Sequence, residues 1–395
     1  MISQIILILV VAIAAYHYLN KRKWKLPPGP PGIPGLGNIF TVAKTPHVAH
    51  SQLKEKYGDI YYFTLGTTRA VCLGNVQLIK ECFNDPNYNG RAKEMLTCIL
   101  SQGQHGIIAS EGQEWVEQRR FTLRHLRDFG FGKNLMENLI MEELDDFARP
   151  SLAGILSLLA PSLLHMAPEL TGWNHFKRIG DQFHDDGVRS LLAVIGDLFF
   201  AGAETSSATL AWSVLYLAIN PDIQKKLQDQ IDEVVGKSRQ VTLADRSNLP
   251  YAEATLQEIF RKSSLVVTGV MHTAGKDTTF AGYDIPKGTW MMANIYAIHH
   301  DAKLWGDPGN FRPERFLSTD GKKVIKSENV LPFSLGKRIC LGENLARDEI
   351  FLFLTNIFQR FSISVDPTQP KPDYEPKVGF LLHPKDYQII VQERA

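Results

Sequence analysis

The fold is decided by one stretch near the C-terminus of the chain, Phe333-Ser334-Leu335-Gly336-Lys337-Arg338-Ile339-Cys340-Leu341-Gly342. Its cysteine lies between two glycines, which let the backbone turn tightly and come close to a flat, bulky group. Arg338 can reach an anionic part of such a group. Helical spacing after Cys340 places the sulfur near a helix N-terminus, where the dipole favours a thiolate. A thiolate in a glycine-lined loop is a good axial ligand for haem iron. The alternative is a small, inert, buried cysteine in a turn.

The composition is that of a folded protein with an ordinary surface. Of the 395 residues, 44% are hydrophobic and 22% are charged, which allows a sizeable core. The formal net charge of +1 gives no bias toward nucleic acid, so no such partner is expected. The cysteines contain no CxxC pair, which argues against a disulfide scaffold or a zinc ribbon and suits a reducing compartment. They are Cys72, Cys82, Cys98 and Cys340.

The N-terminus carries a nearly uninterrupted apolar run over residues 2–19, long enough for one membrane-spanning helix. Basic residues follow directly at positions 21–25, which places the C-terminal side of the helix in the cytosol by the positive-inside rule. A cleaved signal peptide is the alternative, since small residues occur at positions 12–14. Because the basic residues follow the run instead of preceding it, we expect a retained membrane anchor over residues 1–20.

Proline and glycine dominate residues 26–35, a composition that cannot form a helix or a central strand. We expect a basic, proline- and glycine-rich hinge over residues 21–38, stiff enough to space a domain from the bilayer. The remaining residues, 39–395, are expected to form the haem-binding domain.

A long apolar helix is predicted over residues 187–220. At its centre, Ala201-Gly202-Ala203-Glu204-Thr205-Ser206 combines small residues with an acid and a hydroxyl. Gly202 weakens the helix locally, and Thr205 can compete for the backbone hydrogen bonds beside it. Glu204 and Thr205 could relay protons to a ligand bound next to such a groove. Close packing of two helices explains the bare pattern equally well.

Two further sets of residues follow helical spacing. Trp115 and Arg119 are four apart and share a face that could bind an anion. Glu258 and Arg261 are three apart and can pair, with Arg315 as a candidate third member. For each set the alternative is a solvated surface, where such pairs contribute little.

Short strands are predicted from β-branched and aromatic runs bounded by turn residues. They comprise a hairpin over residues 59–65 and 70–73, a second β region over 278–282 and 289–293, and closing strands over 379–383 and 387–391.

Taken together, the motifs resemble the cytochrome P-450 family of haem-thiolate monooxygenases, in particular its microsomal animal members. The resemblance runs nearly end to end, with four family motifs in family order. WxxxR matches Trp115 and Arg119, (A/G)GxxT matches Ala201, Gly202 and Thr205, ExxR matches Glu258 and Arg261, and FxxGxRxCxG matches Phe333, Gly336, Arg338, Cys340 and Gly342.

The resemblance implies a mainly α fold with small β-sheets, in which haem b lies between the long central helix and the helix after the cysteine loop. Cys340 would be the axial ligand of the iron. Glu204 and Thr205 would be catalytic and supply protons, whereas the cluster of Glu258 would be structural. The other haem-binding residues implied by the resemblance are Arg338, Trp115, Arg119, His272, Phe333 and Gly336.

The implied reaction inserts one oxygen atom of O2 into a small lipophilic substrate. NADPH would supply electrons through the flavoprotein NADPH–cytochrome P-450 reductase, with cytochrome b5 as a possible second partner. Arg120, Arg124 and Lys337 would belong to the docking surface. The implied location is the endoplasmic reticulum membrane, with the catalytic domain on its cytosolic side.

The chain departs from the family pattern in its central region. Only 82 positions separate Arg119 from Ala201, considerably fewer than family members usually have. By family position the shortening falls within about 140–190, among the helices that roof the substrate pocket. In addition, Val267 replaces a usual proline, and Thr273 replaces the arginine that usually follows the histidine. A truncated, non-catalytic haem-binding isoform or relic is therefore the alternative function.

Overall fold

The computed structural model describes residues 11–12, 24–94, 103–128, 134–147 and 185–394. Apart from positions 11–12, the predicted anchor lies outside the described residues, as does most of the predicted shortened region. The chain separates into two compact units. The first unit comprises residues 1–92 and 268–297, and the second comprises residues 93–267 and 298–395.

The first unit is organised around a five-stranded sheet with the order β1-β2-β7-β4-β3. Strands β1 and β2 pair antiparallel, which confirms the predicted hairpin, and β2 pairs in parallel with β7. The second predicted β region is divided, because β7 joins this sheet whereas β5 and β6 form a hairpin of their own. The strands are β1 (Ile60–Leu65), β2 (Thr68–Leu73), β3 (Gly90–Arg91), β4 (His272–Thr273), β5 (Thr278–Phe280), β6 (Tyr283–Ile285) and β7 (Trp290–Ala293).

Three helices accompany this sheet, α1 (Ile39–Val42), α2 (Pro46–Tyr57) and α3 (Val76–Asn84). Buried residues of α2 and of the two hairpin strands form one hydrophobic cluster, which includes Leu53, Tyr61 and Phe63. The alternation of large apolar residues along β1 therefore turns one side of the hairpin toward α2.

The proline- and glycine-rich segment pairs with the hairpin. The Tyr62 N–H donates to the carbonyl of Pro28 at 2.8 Å, and Gly37 forms a bridge with Leu65. Gly29 leaves no room for a side chain, because a Cβ there would collide with the Tyr62 carbonyl. Glycine at this position thus permits the close backbone approach that the pairing needs.

The second unit is mainly helical, in agreement with the predicted fold class, and about half of the residues that the structure describes are in helices. Its helices are α4 (Gly112–Asp128), α5 (Asn134–Phe147), α6 (Asp185–Ile219), α7 (Pro221–Val234), α8 (Pro250–Ser263), α10 (Ala302–Trp305) and α11 (Glu343–Arg360), while α9 (Ile295–His299) crosses the boundary between the units. Two small antiparallel pairs complete it, β8 (Phe361–Val365) with β11 (Ile389–Glu393), and β9 (Pro376–Val378) with β10 (Leu382–Pro384).

The core of the second unit lies where α6, α8 and α11 meet. Helix α8 buries its residues from Ala254 to Ser263, and α11 buries its residues from Ile350 to Phe358. Helix α6 ends where Pro221 begins α7, since proline is well suited to the first turn of a helix.

The described segment Ser190–Ile219 of α6 is long and apolar enough to cross a membrane. Its second half is buried in this core, so we treat it as a core helix.

An ion cluster lies inside this core at Glu258, whose side chain is fully buried. Arg261 donates to both carboxylate oxygens, from Nε at 2.7 Å and from Nη2 at 2.8 Å. Arg315 adds an Nε contact at 3.1 Å, and the backbone N–H of Arg312 donates at 2.9 Å. The predicted grouping of Glu258, Arg261 and Arg315 is therefore confirmed.

His299 connects this cluster to the chain that leads into the cysteine loop. Its carbonyl accepts a hydrogen bond from Arg261 Nη1 at 2.6 Å, and its Nε2 accepts one from the N–H of Leu331 at 2.8 Å. A ring nitrogen that accepts a backbone N–H carries no proton, so the imidazole is neutral. Burial lowers the pKa of His299 well below its ordinary value.

We expect Glu258→Gln to lower the free energy of unfolding by about 3–5 kcal/mol, because the buried guanidinium of Arg261 loses its counter-charge and that of Arg315 keeps only its contact with Asp307. The matched control is Asp229→Asn, which removes one carboxylate of the exposed pair between Lys225 and Asp229 and should cost less than about 1 kcal/mol. Urea midpoints of both variants measure the difference, and equal midpoints would contradict this role for the cluster.

The state of His299 also predicts a dependence of stability on pH. The unfolded chain binds a proton at this residue below pH 6.5, whereas the folded chain does not. The free energy of unfolding should therefore fall as the pH drops below 6.5, by up to about 1.4 kcal/mol per pH unit. In His299→Gln the free energy of unfolding should fall less steeply below pH 6.5, because the variant has no imidazole to protonate in the unfolded chain. If wild type and variant lose the same free energy of unfolding over this range, His299 is not the buried neutral group inferred here.

Candidate active site

The cysteine loop closes on itself through one backbone hydrogen bond. The Cys340 N–H donates to the carbonyl of Phe333 at 3.0 Å. Gly336 has φ +77°, a left-handed conformation that glycine adopts without a steric cost. Helix α11 begins at Glu343 with Gly342 as its N-cap, so the sulfur lies just before the helix. Spacing alone had predicted this placement.

Cys340 is exposed, whereas Cys72 and Cys82 are buried. Although its surface is accessible, its surroundings are crowded, and this burial raises the pKa of the Cys340 thiol. The Gly342 N–H lowers the pKa, and Glu343 raises it again. The N–H at the helix start thus favours the thiolate as expected, but the crowded surroundings outweigh it in the free side chain. A coordinating metal cation would remove the proton outright.

Arg338 connects the cysteine loop to a second loop, residues 103–110. The buried Arg338 side chain donates to the Ser110 carbonyl from Nη2 at 2.7 Å and to the Ile107 carbonyl from Nη1 at 3.4 Å. Its guanidinium lies 4.0 Å from the centre of the Trp115 ring, a distance typical of a cation–π interaction. Arg338 therefore has a structural role besides the predicted contact with an anion.

Trp115 and Arg119 lie one turn apart on α4 and face the cysteine loop. Arg119 Nη2 donates to the carbonyl of Ile339 at 2.8 Å, and its guanidinium lies 5.9 Å from the Trp115 ring. The predicted residues Trp115, Arg119 and Arg338 thus meet beside Cys340. We call these three residues the cationic cluster.

The cationic cluster fits the carboxylates of a haem. Within the described part of the chain, Nε1 of the buried Trp115 has no hydrogen-bond acceptor. A buried indole N–H normally has such a partner. An anionic oxygen placed there would satisfy the indole and neutralise the adjacent guanidinium groups.

Asp197 of α6 fixes the second loop from the other side. Its Oδ2 accepts the N–H groups of Ile107 at 2.7 Å and of Ile108 at 2.9 Å, and only 8% of the residue is exposed. Burial raises the pKa of Asp197, while the two N–H groups lower it. Gly106 lies directly against this carboxylate, with φ +80° and no space for a Cβ.

The predicted catalytic residues lie on consecutive positions of α6. The Thr205 hydroxyl donates to the Ala201 carbonyl at 2.7 Å, which is the competition with the backbone that the sequence predicted. The helix continues without a break through this segment. Glu204 Oε1 lies 3.0 Å from Nε2 of His383 on β10.

The next residue of α6 ties this segment to α11. Ser206 Oγ donates to Glu349 Oε2 at 2.8 Å. Crowded surroundings raise the pKa of Glu349 to about 7, while the Ser206 hydroxyl lowers it, although the side chain keeps some solvent exposure. A carboxyl group with such a pKa exchanges protons readily near neutral pH.

The two remaining predicted haem contacts have partners within their own units. Phe333 packs against Phe260, with ring centroids 5.3 Å apart, and beneath the guanidinium of Arg347 at 4.7 Å. His272 belongs to the first unit, where its ring stacks on Phe83 at 3.8 Å and its Nδ1 lies 2.8 Å from the carbonyl of Tyr88. Contact of these two residues with haem stays a prediction.

Four residues of this region were not predicted from the sequence: Ser110, Asp197, Glu349 and His383. Asp197 did leave a signal, since it is an acid on an otherwise apolar stretch of helix, whereas Glu349 follows Arg347 and Asp348 and does not stand out. Ser110 and His383 left none, because their partners lie more than 170 positions away along the chain.

Comparisons with known proteins agree with this geometry. The sequence profile of the family described as cytochrome P450 matches residues 27–150 and 177–391. Farnesoate epoxidase of Bombyx mori is 29% identical over 487 residues, covering 98% of each chain. Cytochrome P450 2J2 of Homo sapiens is 30% identical, and the alignment covers 96% of this chain and 94% of the relative. Cytochrome P450 2J5 of Mus musculus is 29% identical, and the alignment covers 98% of this chain and 96% of the relative.

A mainly helical fold with an accessible cysteine in a glycine loop beside a cationic cluster is typical of the haem-thiolate oxidoreductases. The chain belongs to the cytochrome P450 family. Membership confirms an enzyme of the monooxygenase type and implies haem with a cysteine thiolate on its iron. The alignment with the Bombyx mori protein spans 487 residues although the chain has 395, so that relative contains residues without a counterpart here.

The contact between the second loop and α6 gives a prediction for Gly106→Ala. The new Cβ would displace Asp197, and the left-handed backbone adds a cost of about 1–2 kcal/mol. Gly236→Ala is the matched control, because Gly236 has φ +79° and open space around its missing Cβ. We expect a clearly lower urea midpoint for Gly106→Ala than for Gly236→Ala. Indistinguishable midpoints would mean that residues 103–110 can shift to accommodate the new Cβ without loss of stability.

Proposed function

We propose that the protein is a haem-thiolate monooxygenase that oxidises a small lipophilic substrate with electrons from NADPH, delivered by a flavoprotein reductase. The observation that carries the proposal is the meeting of Trp115, Arg119 and Arg338 beside the accessible Cys340. Family membership supports the same reaction type, and the relatives support the endoplasmic reticulum membrane as its location.

Each residue of the site has a definite task in this proposal. Haem, when bound, supplies the activation of dioxygen and the transfer of one oxygen atom to the substrate. Cys340 would hold the iron, and the cationic cluster would hold the haem carboxylates. His272 would add a further carboxylate contact. Glu204 and Thr205 would supply the protons that oxygen activation consumes.

The exposed face of α6 supports a lipophilic substrate. Leu192, Phe199 and Phe200 are 58%, 42% and 42% exposed, although they belong to a helix of the core. Phe200 and Glu204 are four apart and therefore lie on the same face. An apolar surface next to the predicted proton donor suits an apolar substrate. Because one relative is named a farnesoate epoxidase, lipophilic isoprenoid acids and esters are the first compounds to test.

The test of the proposal is the spectrum of the ferrous–CO form. We expect the red-shifted Soret band of a thiolate ligand in the wild type and its loss in Cys340→Ser. Cys82→Ser is the control, since Cys82 is buried in the first unit and should leave the band unchanged. A band that survives Cys340→Ser would refute Cys340 as the ligand.

Turnover separates the proposal from the non-catalytic alternative. Full-length protein with reductase and NADPH should oxidise at least one member of a lipophilic panel. A thiolate spectrum without any turnover would instead identify a haem-binding protein that does not catalyse the reaction.

A further inference from the structure

Glu204 has a partner that no family motif predicts. Nε2 of His383 lies 3.0 Å from Glu204 Oε1, and the two side chains are 33% and 55% exposed. Contacts of this kind at a surface are worth little for stability. A contact made by a catalytic acid nevertheless determines where its carboxylate points and what can exchange a proton with it.

The backbone around His383 is firmly held, so the contact does not depend on a loose loop. The N–H of the preceding residue, Leu382, donates to the Leu265 carbonyl at 3.0 Å. The carbonyl of Leu382 accepts a hydrogen bond from Trp212 Nε1 at 2.8 Å. Trp212 belongs to α6, the helix that also carries Glu204, so that one helix positions both members of the pair.

On its other side His383 lines an open cleft of about 420 Å³. Residues of this cleft include Ala211, Tyr387 and two lysines, whereas Glu204 does not line it. The lysines have carboxylate partners of their own: Lys377 lies 4.0 Å from Asp386, and Lys385 lies 3.0 Å from Asp373. His383 thus touches both the water-accessible cleft and the predicted proton donor.

We propose that His383 is a proton-relay residue, which passes protons from water in this cleft to Glu204. In the transfer, the Nε2–H bond of the imidazolium breaks and an O–H bond forms at Glu204 Oε1. The neutral imidazole then takes a replacement proton from cleft water. Histidine suits this step because its ordinary pKa allows both protonation states near neutral pH. The proposal rests on the catalytic role proposed for Glu204.

The first experiment tests the contact itself and needs no turnover. Haem-loaded, full-length protein is treated with diethyl pyrocarbonate, which acylates free imidazole nitrogens, and labelling of each histidine is measured by mass spectrometry. In the wild type, Glu204 should protect Nε2 of His383. In Glu204→Ala the labelling rate at His383 should rise severalfold, while the rate at His125 on α4 stays constant. An unchanged rate at His383 would overturn the pairing.

The second experiment tests proton transfer by comparing two oxidants. Iodosylbenzene donates an oxygen atom directly and requires no proton delivery, whereas the reaction driven by NADPH and O2 does. His383→Gln keeps a polar side chain but cannot carry a proton, so NADPH-driven product formation should fall by about 10²-fold. Iodosylbenzene-driven product formation should stay at the wild-type level. Lys377→Gln, in the same cleft, should change neither reaction.

Chemical rescue separates a relay from a merely structural role. In His383→Ala, added imidazole should restore much of the NADPH-driven rate, because it can occupy the space of the missing ring and carry the proton. Full NADPH-driven activity of His383→Gln would overturn the relay. An equal loss with both oxidants would also overturn it, since His383 would then act on structure. If the wild type turns over with neither oxidant, the proposed function fails, while the labelling result still reports on the contact.

Discussion

The second unit depends on the burial of one carboxylate. The Glu258 carboxylate is completely withdrawn from water, and burying such a charge without partners would cost on the order of several kcal/mol. Its oxygens accept hydrogen bonds from Arg261, Arg315 and the N–H of Arg312, which offset this cost. The arrangement extends beyond the pair itself, because Arg261 also donates to the His299 carbonyl and His299 accepts the N–H of Leu331. Leu331 precedes the cysteine loop by only a few residues, so the buried charge fixes the point from which that loop departs.

A second set of contacts links the cysteine loop to the central helix. Arg338 of the loop donates to the carbonyls of residues 107 and 110, and the N–H groups of residues 107 and 108 donate to Asp197 of α6. The loop between them therefore presents its carbonyls to a cation and its N–H groups to an anion. Such an arrangement keeps the guanidinium of Arg338 in place before any ligand binds. A cationic side chain that is already held in place binds an anionic group more tightly, because it loses little conformational entropy on binding.

Contacts could be predicted from the sequence where the contacting residues are close along the chain or belong to a motif with fixed spacing. It predicted Trp115 with Arg119, the hairpin of β1 and β2, the bounds of α6 within a few residues, and the cluster of Glu258. It failed where the partner depends on the tertiary fold. Strand β7 pairs with β2 across more than 200 positions, and neither that pairing nor the contact of His383 with Glu204 leaves a local pattern. The crowding around the Cys340 sulfur left no signal for a similar reason, whereas the helix start beside it is visible in the sequence.

The arrangement of α6 bears on the shortening of the chain. One face of this helix carries exposed apolar side chains next to Glu204, and Phe200 on that face contacts Phe380 from the C-terminal region at 5.7 Å. Glu204 therefore borders this apolar face while its own side chain stays 55% exposed. In the relay proposed above, His383 would supply protons to Glu204 from a separate cleft that Glu204 does not line. Such a route would not depend on the roof over the substrate pocket, which is the region expected from the family pattern to be shortened.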